Sequence, residues 1–172
     1  AAIITTDQQG AIAMRDAVRE AFRRNGIDGK IILDEVVLPG TKDFNTFIGR
    51  ARAKSVDVFV TILFQGSLSA FAKQARQQMP HAALAEAEMF EDESEVKVSE
   101  GALVGHWYVN IDDASTDFVE AWKKAYGSLP GWGSASAHDT LLLLSEGHRK
   151  FGTDNSKIAE MLAHIRDYRG AA

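Results

Sequence analysis

The sequence predicts an α/β fold, an open and mainly parallel sheet with helices on both faces. Two observations carry this expectation. Strand-like and helix-like segments alternate three times within residues 1–80, the pattern that builds a parallel sheet by crossover connections. Ala1 to Thr6 and Val56 to Leu63 are also nearly continuous runs of apolar and β-branched residues, and the latter has the look of a strand covered on both faces.

Ala1 to Thr6 reads as the first buried strand, stopped by Asp7. A helix follows, with Ile12, Ala13, Val18, Ala21 and Phe22 on one face and Arg15, Arg19 and Arg23 on the other, ending at Asn25-Gly26. Ile31 to Leu38 is the second strand, closed by Pro39-Gly40. Asp43 is placed to cap a second helix that carries Phe44, Phe47, Ile48 and Ala51 inward. Val56 to Leu63 is the third strand. The helix after it starts at Ser67, with Leu68, Phe71, Ala72 and Ala75 at helical spacing, and stops before Pro80.

The middle of the chain is less regular. Ala82 to Ala85 reads as a short fourth strand and Ala102 to Asn110 as a fifth. Between them, Glu86 to Glu100 holds seven acidic residues among fifteen. It lacks the alternating oxygen ligands and turn glycine of a calcium loop, so it reads as a solvated loop. Thr116 to Tyr126 is a helix with Phe118, Val119 and Trp122 facing in and Tyr126 at the end of the same face. After a turn at Leu129-Pro130-Gly131, helices over about Ser136 to Lys150 and Ser156 to Arg169 complete the chain. With 172 residues, 45% of them hydrophobic, the expectation is a single α/β domain over 1–172.

Composition narrows the chemistry. A net charge of -5 argues against a nucleic-acid partner. The absence of cysteine removes disulfides, thiolate metal sites and a cysteine nucleophile. His81, His106, His138, His148 and His164 show no metal-ligand spacing, so no metal or cofactor is expected. Ser136, His138 and Asp139 are the residue types of a hydrolase triad, but positions two apart on a helix face different ways. No catalytic residue is therefore assigned. Asp7 stands where phosphate-accepting α/β domains keep an aspartate, yet no phosphate-binding glycine loop follows, and capping of the next helix is the favoured reading.

In an open α/β sheet, ligands bind at the carboxyl ends of the strands, near the switch in strand order. That rule singles out Asp7 to Gly10, Phe64 to Ser67 and Glu86 to Met89. A glutamate there is placed to pair with a ligand ammonium group, and Phe64 to wall it.

At these residues the chain resembles the second lobe of type I periplasmic binding proteins, the leucine/isoleucine/valine-binding family of ABC-transporter receptors. The likeness runs in order through AAIITTDQQGAIAMRDAVREAFRRNG, LPGTKDFNTFIGRARAKSVDVFVT, QGSLSAFAKQARQQ, EGALVGHWYVN, TDFVEAWKKAYG and SAHDTLLLLSEGHRKFGTDNSKIAEML. The resemblance implies a Rossmann-like lobe whose ligand-facing positions are Gln8, Gln9, Gly10, Phe64, Gln65, Glu86 and Glu88. Glu88 would hold an amino-acid ammonium, with Glu86 taking that role if the strand is shifted. The chain departs from the branched-chain binders at Gly10, where tyrosine is frequent, at Phe64, which lacks a phenolic hydroxyl, and at His138-Asp139 in place of Tyr-Asp. An amino acid, an amide and an aromatic acid all remain open as ligand.

The resemblance further implies a periplasmic location, with no signal peptide in this chain, and a lobe cut at both ends. Its partners would be a first lobe that precedes it and an ABC permease in the intact protein. An exposed apolar cleft face would favour a homodimer of the isolated lobe. The alternative is a ligand-sensing domain of the same fold, in an amide sensor or a transcriptional regulator.

Overall fold

The computed structural model describes residues 1–87, 90, 92–109, 114–131 and 133–172. The chain forms two compact units, Ala1–Asn110 and Ile111–Ala172.

The first unit contains β1 (Ala2–Thr6), α1 (Gln9–Arg24), β2 (Leu33–Val37), α2 (Asn45–Ala53), β3 (Val58–Ile62), α3 (Ser67–Gln78), β4 (Ala83–Ala87), α4 (Glu93–Val98) and β5 (Trp107–Val109). The strands form one five-stranded sheet in the order β2-β1-β3-β4-β5, every pairing parallel. The predicted fold class is the one observed.

Strand order and register decide which helix covers which face. The step from β1 to β2 runs one way along the sheet, while those from β2 to β3 and β3 to β4 run the other. Right-handed crossovers then put α1 on one face and α2 and α3 on the opposite one. The side chains agree. Ala2 and Ile4 of β1, with Phe59 of β3 and Leu84 of β4, join one buried cluster with Phe47, Ile48 and Ala51 of α2 and Leu68, Phe71, Ala72 and Ala75 of α3. Four phenylalanines organise it: Phe71 meets Phe44 and Phe59 edge-on at 5.3 and 5.2 Å, and Phe47 lies 6.2 Å from both Phe59 and Phe71. On the other face, Asp34 lies in register with Ile3 and accepts hydrogen bonds from Arg15 Nε at 2.7 Å and Arg19 Nη1 at 3.0 Å, tying α1 to β2.

Several local expectations shift. Arg15 turns toward the sheet to reach Asp34, whereas Ala13 and Ala21 face outward and Ala11 is buried instead. The reason is electrostatic: a half-buried carboxylate on an edge strand needs a cation on the covering helix. Asp7 does not cap α1. Gln8 is its N-cap, in extended conformation, and makes no capping bond. At α2, Phe44 takes the N-cap position. Asp43 instead accepts from the Asn45 N–H at 3.0 Å, an Asx turn just before the helix. The acidic run is not simply a solvated loop, since Glu93–Val98 forms α4. β5 is shorter than expected. Ala102 and Leu103 are buried in a stretch of turns ahead of it, so their apolar character reflects cluster packing and not a strand.

The second unit contains α5 (Thr116–Tyr126), α6 (Ser134–Phe151) and α7 (Asn155–Ala163). Ser115 caps α5, accepting from the Phe118 N–H at 3.4 Å, and Asp154 caps α7, accepting from Lys157 N–H at 3.1 Å. Phe118, Trp122 and Tyr126 stack along α5 with centroids 5.7 and 4.5 Å apart, but Tyr126 is 68% exposed and does not face in. α7 stops well before Arg169; the Arg166 guanidinium bonds the Ala163 and Ile165 carbonyls just past its end. Helices α6 and α7 meet at Gly147, where a Cβ would stand 3.0 Å from Ile158 Cγ2 and 3.2 Å from Met161 Cε. Glycine is what lets them approach so closely.

Candidate functional site

Because β1 connects toward β2 and β3 connects toward β4, the strand order switches between β1 and β3. The carboxyl ends of these two strands, with that of β4 beside them, form the edge where open α/β sheets take ligands. Two of the segments singled out by sequence, Asp7 to Gly10 and Phe64 to Ser67, converge there, with Glu86 of the third on the adjoining strand.

The β1–α1 turn is open. Asp7, Gln8, Gln9 and Gly10 are all exposed. Their backbone is anchored from below, the Asp7 N–H donating to the Val37 carbonyl at 2.7 Å and the Gln8 N–H to Thr6 at 2.8 Å. Beneath the turn, the hydroxyls of Thr5 and Thr6 are buried and find no hydrogen-bond partner among the described residues. The serial β-branched residues that make β1 a good strand thus also leave two polar groups at its carboxyl end.

The β3–α3 turn is closed by contrast. Phe64 is half-buried, and its carbonyl accepts from Ser67 N–H at 3.0 Å and Leu68 N–H at 3.2 Å. Gly66 has φ of +77°, a left-handed conformation that suits glycine, and a Cβ there would run into the Lys42 ammonium. Gln65 is exposed but engaged: its Nε2 donates to Asp92 Oδ2 at 2.7 Å and Ser94 Oγ at 3.1 Å.

Glu86, on β4, is only 4% exposed. It lies in register with Thr61 of β3 and Tyr108 of β5, on the sheet face that carries the phenylalanine cluster. Glu88 lies outside the described residues. The structure therefore brings the edges bearing Gln8, Gln9, Gly10, Phe64 and Gln65 together, with Glu86 one strand further along.

Sequence reasoning missed the residues that hold this edge from α4. Asp92 is the N-cap of that helix, accepting from Ser94 N–H at 2.9 Å and Glu95 N–H at 3.1 Å. The bond from the Ser94 hydroxyl, above all, holds the Asp92 carboxyl below its ordinary range, aided by these N–H groups and by Gln65 against the opposing effect of burial. Glu95 is 2% exposed and accepts from the backbone N–H groups of Gly66 and, at 2.7 Å, of Ser69. One signal for α4 was present: Asp92 followed three residues later by Glu95 is the spacing of a capping box.

Other polar groups serve different ends. Asp139 accepts from the Ala171 and Ala172 N–H groups at 2.8 and 2.9 Å and contacts His138 Nδ1 at 3.2 Å. Burial alone would raise its pKa, but these donors reverse that and lower it. Its carboxylate is thus engaged by backbone, not by Ser136. His106 Nδ1 accepts from the Leu84 N–H at 3.1 Å, which assigns the ring proton to Nε2. A cavity of about 530 Å³ lies away from the candidate edge, between α1 and the start of β2, and both arginines that line it are paired, Arg19 with Asp34 and Arg23 with Glu20. Among the described residues no group of three or more acidic, histidine or cysteine side chains is arranged to hold a metal ion.

Residues 1–170 match the sequence pattern of one family, described as periplasmic binding protein. This chain belongs to the periplasmic binding protein family. Solved structures share the fold of this chain. A leucine binding protein from Thermotoga maritima is 19% identical, with a TM-score of 0.80 over 99% of this chain and 50% of that one. A branched-chain amino acid transporter substrate binding protein from Streptococcus pneumoniae, in complex with isoleucine, is 19% identical, with a TM-score of 0.75 over 99% and 50%. An ABC-transporter solute binding protein from Rhodopseudomonas palustris, in complex with 3,4-dihydroxybenzoic acid, is 21% identical, with a TM-score of 0.63 over 91% and 46%. The chain thus spans about half the length of these structures. Among curated proteins no sequence matches it. The periplasmic binding protein family is one of binding proteins, and among the described residues no helix is long and apolar enough to cross a membrane.

Proposed function

We propose that this chain is one lobe, the second, of a substrate-binding protein of an ABC transporter, acting in the periplasm as a receptor and not as an enzyme. Its ligand is a small polar molecule, an amino acid, an amide or an aromatic acid, held between this lobe and a companion that precedes it. The observation that carries the reading is the switch-point edge, where the open β1–α1 turn and the ordered β3–α3 turn stand side by side with Glu86 on the next strand. Gln8, Gln9 and Gly10 would contact the ligand from one turn, Phe64 and Gln65 from the other, and Glu86 or Glu88 would receive an ammonium group. Isoleucine and 3,4-dihydroxybenzoic acid in two structural neighbours support a ligand of this size. A permease is the expected partner of the intact receptor.

Closure of two lobes is what buries a ligand in such a protein, so the lobe alone should bind weakly. The test is a thermal-shift screen of the two-lobed protein against amino acids, amides and aromatic acids, with this chain alongside. Ligand at one hundred times its dissociation constant should add about 2.7 kcal/mol of stability. A shift in the two-lobed protein alone is the expected result and names the ligand class. Silence from both proteins across the screen would remove the transport reading and favour a sensor of the same fold.

A further inference from the structure

The β3–α3 turn is gripped from a helix that lies 26–29 residues further along the chain. The first N–H groups of any α-helix have no partner within it and must be satisfied from outside. At α3, the donors of Gly66 and Ser69 are taken by the two oxygens of one buried carboxylate, Glu95 Oε1 and Oε2 respectively. Two parallel bonds to a charged acceptor fix direction as well as distance. The grip has an outer arm too, since the Gln65 amide reaches Asp92 and Ser94 on the same first turn of α4. That turn is itself ordered by the Asp92 cap. Glu95, Asp92 and Ser94 therefore hold the backbone of residues 65–69 against α4, and the Lys42 ammonium stands where a Cβ on Gly66 would reach.

We propose that Glu95 is the positioning residue of the ligand-facing β3–α3 turn. It acts through the Gly66 and Ser69 amides, setting where Phe64 and Gln65 stand, and does not touch the ligand. The proposal rests on the receptor reading only in taking this turn to face the ligand. It has a consequence for specificity: the α3 N-terminus, which would otherwise attract an anion, is already filled by the chain's own carboxylate. A ligand carboxylate is thus not received at those two donors and must be bound elsewhere.

Amide hydrogen exchange on the 172-residue chain tests this, comparing the unmodified protein with Glu95→Ala and Glu95→Gln and repeating each measurement with L-isoleucine as probe. Glu95→Ala should speed exchange of peptides covering residues 64–69 by about tenfold or more, while β1 and β3 keep their protection. Glu95→Gln retains the shape and one acceptor oxygen, so its exchange should fall between the other two. Exchange in residues 64–69 that is unchanged in both variants overturns the proposal. So does a rise of equal size in the strands, which would make Glu95 a core residue without a local role. If Glu95→Ala does not fold, Glu95→Gln decides by the same comparison. Where L-isoleucine protects the edge of the unmodified chain, that protection should weaken in Glu95→Gln. A chain that ignores L-isoleucine counts against that ligand and leaves the exchange comparison to decide the role of Glu95.

Discussion

Two turns face each other across the switch in strand order, and they are built on opposite principles. The β3–α3 turn is over-determined, with a left-handed glycine, a buried glutamate on two of its amides and a side-chain amide bonded to α4. The β1–α1 turn has four exposed residues and an N-cap without a capping bond. Both begin helices with orphan N–H groups, yet among the described residues a side chain from elsewhere in the fold meets two of them at α3 and none at α1. If this edge takes a ligand, as proposed, its site has one rigid wall and one adaptable wall. The rigid wall sets position, and the adaptable one leaves polar side chains free for a ligand.

The strongest way to break the contrast is Glu95→Ala. It strands one buried and one half-buried N–H group and should cost roughly 2–4 kcal/mol, measured by denaturant unfolding. A loss below about 0.5 kcal/mol would place the two turns on the same footing. Next in size is Gly66→Ala, which forces a side chain into a left-handed position and against Lys42. It should cost about 1–2 kcal/mol in the same assay. Gly10→Ala is its counterpart on the open turn. Nothing lies within 4 Å of a Cβ at Gly10, in the first turn of α1, so this change should be neutral or stabilising by up to about 1 kcal/mol. If Gly10→Ala destabilised as much as Gly66→Ala, the β1–α1 turn would not be open.

Acid sharpens the same comparison with the smallest effect. The Asp92 carboxyl is held below its ordinary pKa of about 3.8 in the fold. A depressed carboxylate contributes stability that is present above the unfolded value and is lost as pH falls through the folded one. The α4 grip should therefore loosen only below about pH 4, and by less than about 1 kcal/mol because Asp92 is partly solvated. Asp92→Asn should flatten that part of the stability–pH curve, read by thermal unfolding from pH 6 down to pH 3. A curve of unchanged slope would separate Asp92 from the grip.

Much of the sheet was legible in the residues because its signals are local. Runs such as Val58–Ile62 and the helical spacing of Leu68, Phe71, Ala72 and Ala75 report burial directly. The errors fell where a distant partner overrode the local pattern. The local pattern puts Arg15 on the outer face of α1, and Asp34 on a neighbouring strand draws it in. Asp43 and Asp7 have the chemistry of caps, but the backbone reaches helical geometry only two residues after each of them. Ala102 and Leu103 looked like strand and are turn residues buried in the cluster.

The sequence by itself determined the alternation of strands and helices and the switch-point segments, since periodicity and chain order follow from neighbouring residues. It could not say which of the seven acids between Glu86 and Glu100 would be buried. Only the tertiary structure decided that Glu95 is one of them, because a carboxylate withdrawn from water needs donors to meet it. Those donors, the Gly66 and Ser69 amides, become its neighbours only once α3 and α4 pack on the same face of the sheet.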